Sequence, residues 1–97
     1  MYCVICKDKP NHVDVRMENR PDHVTYVLAN PSVKTAGPFL ADDGETMIGT
    51  LLILDVASRA EAEAFAANDP YNKAGLFENV EVFAWKHLIG GLADPNA

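Results

Sequence analysis

Basic charge is what this chain has least of. Eight Lys and Arg stand against fourteen Asp and Glu, a formal net charge of −6 over 97 residues. That deficit removes the footprint nucleic acid requires and argues equally against an anionic membrane surface. It leaves room for a small anionic ligand held by one local Arg. Long hydrophobic runs are missing too: the longest, Ile48 to Leu54, contains Gly49 and Thr50 and falls far short of a bilayer span. The opening MYCVICKDKP has no basic region and no cleavage site after an apolar stretch, so it reads as a first strand rather than a signal peptide. Cysteine is limited to two residues, and with no export signal a reducing cytosol is the expected compartment. No Walker loop is present and no G-x-G-x-x-G follows a strand, so no nucleotide cofactor is expected.

What is present is an ordinary globular composition, 48% hydrophobic and 23% charged. A chain of this length hides about 60–65% of its unfolded surface, enough for one core and no second domain. Residues 1–97 therefore read as a single domain with a core over about 2–86 and a tail frayed after Gly90-Gly91.

Tyr2–Cys6 is a short β-rich run stopped by Lys7-Asp8-Lys9-Pro10. From His12 to Asn30 the spacing becomes helical, with Val13, Met17, Arg20, Val24 and Val27/Leu28 recurring at three and four. Pro21 either kinks this helix or restarts it. Val33–Leu40 reads as a second strand whose Gly37-Pro38 fits an edge or a bulge. Asp42-Asp43-Gly44-Glu45 is a turn, and Thr46–Val56 a third strand. Ser58 with Glu61 forms a capping box opening a second, Ala-rich helix anchored by Phe65 and ended by Asn68-Asp69-Pro70. Val80–Trp85 alternates as a fourth strand. The order βαββαβ is ferredoxin-like: a four-stranded antiparallel sheet with two helices on one face.

The third strand carries the reading beyond one chain. Met47, Leu51 and Ile53 point one way, while Ile48, Leu52, Leu54 and Val56 point the other. With both helices on one face, the other should be polar, and it is not. A second cover is implied. A second copy packed sheet to sheet is the expected one; loops or the C-terminal tail are the alternative.

Cys3-Val4-Ile5-Cys6 matches C-x-x-C only in letters. Side chains three apart on a strand point to opposite faces, so the pair reads as two core cysteines. No second Cys or His pair completes a zinc site, and no metal is expected. His12 and His87 read as surface residues. His23 is different: it lies three residues after Arg20 and three before Tyr26, on or beside the apolar stripe of the first helix. An Asp before Pro at a helix end, such as Asp69, usually serves turn geometry. The βαββαβ topology can bring the two together, with the carboxylate orienting the imidazole and setting its tautomer.

Arg20-Pro21-Asp22-His23 with Tyr26, Ala36-Gly37-Pro38, Asp69-Pro70-Tyr71 and Ala74-Gly75-Leu76-Phe77, in that order, resemble the YCII (YciI-like) family over about residues 2–86. The resemblance implies a dimeric α+β barrel of ferredoxin-like protomers. It also implies a pocket near the dimer interface built around a His–Asp pair. His23 and Asp69 match that pair, and Arg20 and Gly37-Pro38 map to the same neighbourhood. The short passage from Leu28-Ala29-Asn30 to Val33 departs from the commoner pattern and would reshape the pocket. One activity of the family is dehydrochlorination of a chlorinated hydroxyhydroquinone, although the same architecture hosts isomerases and monooxygenases.

The expectation is thus a cofactor-independent enzyme, lyase-like or isomerase-like, acting on a small hydroxylated aromatic. His23 would be general acid/base and Asp69 its orienting partner. Arg20 would hold an anionic oxygen, with Tyr71, Gly37 and Pro38 shaping the cavity. The rival expectation is a small-ligand-binding or stress-associated dimer without turnover, in which His23 and Asp69 form only a buried polar pair. What separates the two readings is an open cavity faced by a free imidazole nitrogen, as against an imidazole whose two nitrogens are both spent on protein partners.

Overall fold

The computed structural model describes residues 1–91; the part of the expected frayed tail from residue 92 onward lies outside the described residues. The chain runs β1 (Tyr2–Asp8), α1 (Val13–Leu28), β2 (Val33–Leu40), β3 (Met47–Leu54), α2 (Arg59–Asn68), α3 (Pro70–Lys73) and β4 (Phe77–Ala84). The four strands form one antiparallel sheet in the order β2-β3-β1-β4. This is the ferredoxin-like α+β arrangement. No helix among the described residues is long and apolar enough to cross a membrane.

The register explains which residues make the core. Val4 pairs with Leu52 and Val82, and Cys6 with Thr50 and Val80. Paired residues share a face, and this face receives Ala62, Phe65 and Ala66 of α2 together with Tyr71, Leu76 and Phe77. The opposite face carries Cys3, Ile5, Leu51 and Ile53, with Phe39 and Phe83 toward its edges. Ile53 is buried but stands outside the core cluster, and Phe83 is 48% exposed. The two-sided apolar character of β3 is therefore real. The cysteines separate as the strand period requires, but only Cys6 is a core residue; Cys3 is half-buried on the other face.

Edges and ends have local causes. β2 is an edge strand, which is where the missing amide of Pro38 costs least. Its pairing with β3 shifts between Phe39 and Leu40. Gly49 is required by close approach, because a Cβ there would lie 2.5 Å from the Cys6 carbonyl oxygen. Both halves of the Ser58–Glu61 capping box are formed at the start of α2.

Two features of α1 refine the expectation. It runs as one helix through Pro21, which rules out a restart there. Its inward stripe is also displaced by one position from the apolar one: Met17 is 52% exposed and Val13 and Leu28 are exposed, whereas Arg16 and His23 are buried. The physical reason is that the buried polar groups find partners, so hydropathy does not mark the inward face. A further difference is α3, a single turn beyond Asp69 that the spacing of apolar residues does not signal.

Candidate active site

The Asn68-Asp69-Pro70-Tyr71 stretch builds one half of the site. Proline disfavours the helical conformation at the preceding residue, and Asp69 sits extended at φ −61°, ψ 130°, ending α2. Pro70 then occupies the first position of α3, where its missing amide is harmless. As N-cap, Asp69 accepts the Tyr71 amide at Oδ1, 2.9 Å away. That bond and complete burial hold the carboxylate in one orientation.

The other half comes from α1. Arg16, Arg20, His23, Val24 and Val27 follow spacings of three, four and seven, which place them on one face of the helix. His23 Nδ1 lies 2.9 and 3.0 Å from the two Asp69 oxygens. A carboxylate can only accept, so Nδ1 carries the proton and donates it, which assigns the lone pair of the neutral imidazole to Nε2. Nε2 has no protein partner among the described residues, and no buried side-chain nitrogen or oxygen there lacks one. The imidazole stacks on the Tyr71 ring, centroids 4.0 Å apart at 15°. Tyr71 is itself fixed edge-on by Phe77.

These groups open onto a cavity of about 190 Å³. Of the residues singled out in the sequence, Arg20, His23, Gly37, Pro38 and Tyr71 line it, and Asp69 stands behind His23. Val24, Val27, Leu28 and Met47 give it apolar walls. Gly37 is not needed there for space, because a Cβ would meet nothing within 4 Å. Among the described residues no group of three or more His, Cys, Asp or Glu is placed to hold a metal.

The YCII-related domain family matches this chain over residues 1–86. The chain belongs to that family. It is 30% identical over 97 residues to protein YciI of Escherichia coli O6:H1, an alignment covering 92% of this chain and 99% of that one. Among solved structures it is similar to the 5-chloro-2-hydroxyhydroquinone dehydrochlorinase of Burkholderia phenoliruptrix in complex with 2,5-dihydroxybenzoquinone. Identity to that enzyme is 35%, the TM-score 0.79, and coverage 90% of this chain and 95% of that one. A conserved protein of Methanosarcina mazei shares the fold alone, at 12% identity and a TM-score of 0.61 over 88% of this chain and 92% of that one.

One cavity residue of this YCII-family protein escaped the sequence reading. Arg16 is 2% exposed; its Nε and Nη2 donate to Asp8 at 2.7 and 3.2 Å, and Nη2 also donates to Thr50 Oγ1 at 2.6 Å. Its guanidinium carbon lies 4.5 Å from the centre of the Tyr71 ring. The available signal was its position two turns before His23. Burial raises the Tyr71 hydroxyl above its usual pKa despite the opposing fields of Arg16 and Arg20.

Proposed function

We propose that this protein catalyses acid–base elimination on a small hydroxylated aromatic, a dehydrochlorinase-type lyase reaction needing no cofactor. The observation that carries the reading is the His23 imidazole, whose Nδ1–H donates to buried Asp69 while Nε2, without a protein partner among the described residues, stands on a cavity wall. A cavity of about 150 Å³ already accepts benzene, so the space here suits one substituted ring. Similarity to the dehydrochlorinase supports the choice of reaction.

On a chlorinated hydroxyhydroquinone the balance closes without an oxidant. A phenolic O–H gives its proton to His23 Nε2, and the ring ketonises as the carbon bearing chlorine takes up a proton. The para hydroxyl then loses its proton while the C–Cl electron pair leaves with chloride. HCl is lost and a hydroxybenzoquinone remains. Asp69 stabilises the imidazolium formed in the first step, and Arg20 faces the ring oxygens. The working unit in this proposal is a homodimer paired through the Cys3, Ile5, Leu51 and Ile53 face.

The experiment is to mix purified protein with 5-chloro-2-hydroxyhydroquinone and follow chloride release and quinone absorbance against a His23→Ala control. Turnover by the wild type with none above background in the variant is expected. Equal rates would remove His23 from the chemistry. No turnover with tight binding of the product quinone would favour the small-ligand-binding reading.

A further inference from the structure

The cavity wall is charged opposite to the chain that builds it. The protein is acidic and has only three arginines, yet two of them, Arg16 and Arg20, line this one cavity, and no carboxylate does. Asp8 and Asp69 contact the cavity side chains but do not contribute to its wall. The two arginines differ in kind. Arg20 is exposed at the helix surface, while Arg16 is locked on three sides by Asp8, Thr50 and the Tyr71 ring. Two of Arg16's three nitrogens are spent there. The third, Nη1, makes no hydrogen bond of good geometry among the described residues, and the Tyr71 hydroxyl lies close enough to the guanidinium to have its pKa pulled down by it.

We infer that Arg16 is the principal ligand-binding cation of the cavity, and that the cavity takes its ring ligand as an anion, with a phenolate or enolate oxygen on Arg16 Nη1. A guanidinium that cannot deprotonate and is already oriented loses little freedom on binding, so charge-assisted hydrogen bonds from it are strong. Low polarity around the apolar walls strengthens the attraction further. An anionic ring also reaches the cavity with its first O–H proton already gone, so His23 must meet it as the imidazolium, with Nε2 protonated from solvent, and delivery of that proton to the ring carbon is the step left to the protein. The inference rests on the acid–base reading for that last consequence only.

Binding without turnover tests it. The probes are 2,5-dihydroxybenzoquinone, a vinylogous acid that is anionic at neutral pH, and neutral hydroquinone, each titrated calorimetrically into the full chain. Wild type is expected to hold the anionic ring at least tenfold tighter. Arg16→Lys, which keeps the charge but loses the fork, should weaken the anion by about tenfold and leave hydroquinone unchanged. Arg16→Met should abolish the preference. If Arg16→Met does not fold because Asp8 is left unpaired, Arg16→Lys decides. Wild-type protein that binds both rings equally, or neither, overturns the inference, as does an unchanged preference in folded Arg16→Lys. A protein that selects the anion through Arg16 but turns nothing over would retire the His23 chemistry and leave this assignment standing.

Discussion

Asp69 performs two tasks with one carboxylate, and they can be separated. It caps α3 through the Tyr71 amide and accepts the His23 Nδ1 proton. In Asp69→Asn the amide oxygen can still cap, but its NH2 faces Nδ1 and favours the opposite imidazole tautomer. The variant should fold with near-native stability and lose kcat on the order of 10⁴-fold, the scale of the same change in a Ser-His-Asp triad. Urea unfolding with steady-state kinetics reads both quantities; a catalytic loss matched by an equal loss of fold would refute the separation. Cys6 behaves differently. Burial first, then Asp69 and Asp8, push its thiol from 9.0 up to about 12, against the pull of Arg16. Since the folded value is the raised one, the unfolded chain gives up its proton first. The contribution of Cys6 to stability is therefore complete below pH 9 and is lost as pH climbs toward 12. Cys6→Ala should start less stable yet fall less steeply than wild type between pH 9 and 11. Parallel denaturation curves would count against the buried thiol.

At the level of elements, Pro21 is the clearest conflict between local preference and tertiary structure. It sits inside a sixteen-residue helix and deprives the Met17 carbonyl of its amide partner. The helix continues because α1 is anchored on both sides of it: upstream by Arg16 to Asp8 and Thr50, downstream by His23 to Asp69 and by Tyr26 Oη donating to the Phe65 carbonyl at 2.8 Å. Pro21→Ala should raise unfolding free energy by roughly 1–3 kcal/mol, checked by denaturant titration; a lower midpoint would mean the ring sets the path of the helix. The same helix shows why sequence legibility was uneven. The four strands, the capping box and the edge position of β2 follow from period-two alternation and turn chemistry, which are local signals. His23 and Asp69 were legible as a pair through the topology and their motifs. The inward face of α1 was not, because it is written in Arg16 and His23, whose burial depends on partners as much as 46 residues away. α3 was hidden for a related reason: one turn started by Asp69-Pro70 has no periodicity to read.

For the whole molecule the open face of the sheet is the feature the monomer leaves unexplained. Leu52 is completely buried against the helices, whereas its neighbour Leu51 belongs with Cys3, Ile5 and Ile53 on the other side. Phe39 and Phe83 are large apolar residues left exposed toward the edges of that same face, and Ile48 is exposed on the opposite one. Neighbouring positions on one strand therefore make a paired test of the proposed dimer. Leu52→Asp puts an unpartnered carboxylate into the core and should unfold the chain outright, at any protein concentration. Leu51→Asp puts the same charge on the open face. There it should leave the secondary structure intact, convert dimer to monomer and lower stability only in a way that depends on concentration, because association contributes to apparent stability by mass action. Sedimentation velocity at micromolar concentration, with circular dichroism of the same samples, distinguishes these outcomes. A wild-type protein that sediments as a folded monomer would exclude sheet-to-sheet pairing. So would a Leu51→Asp variant that remains a dimer, since the partner would then have to cover another surface.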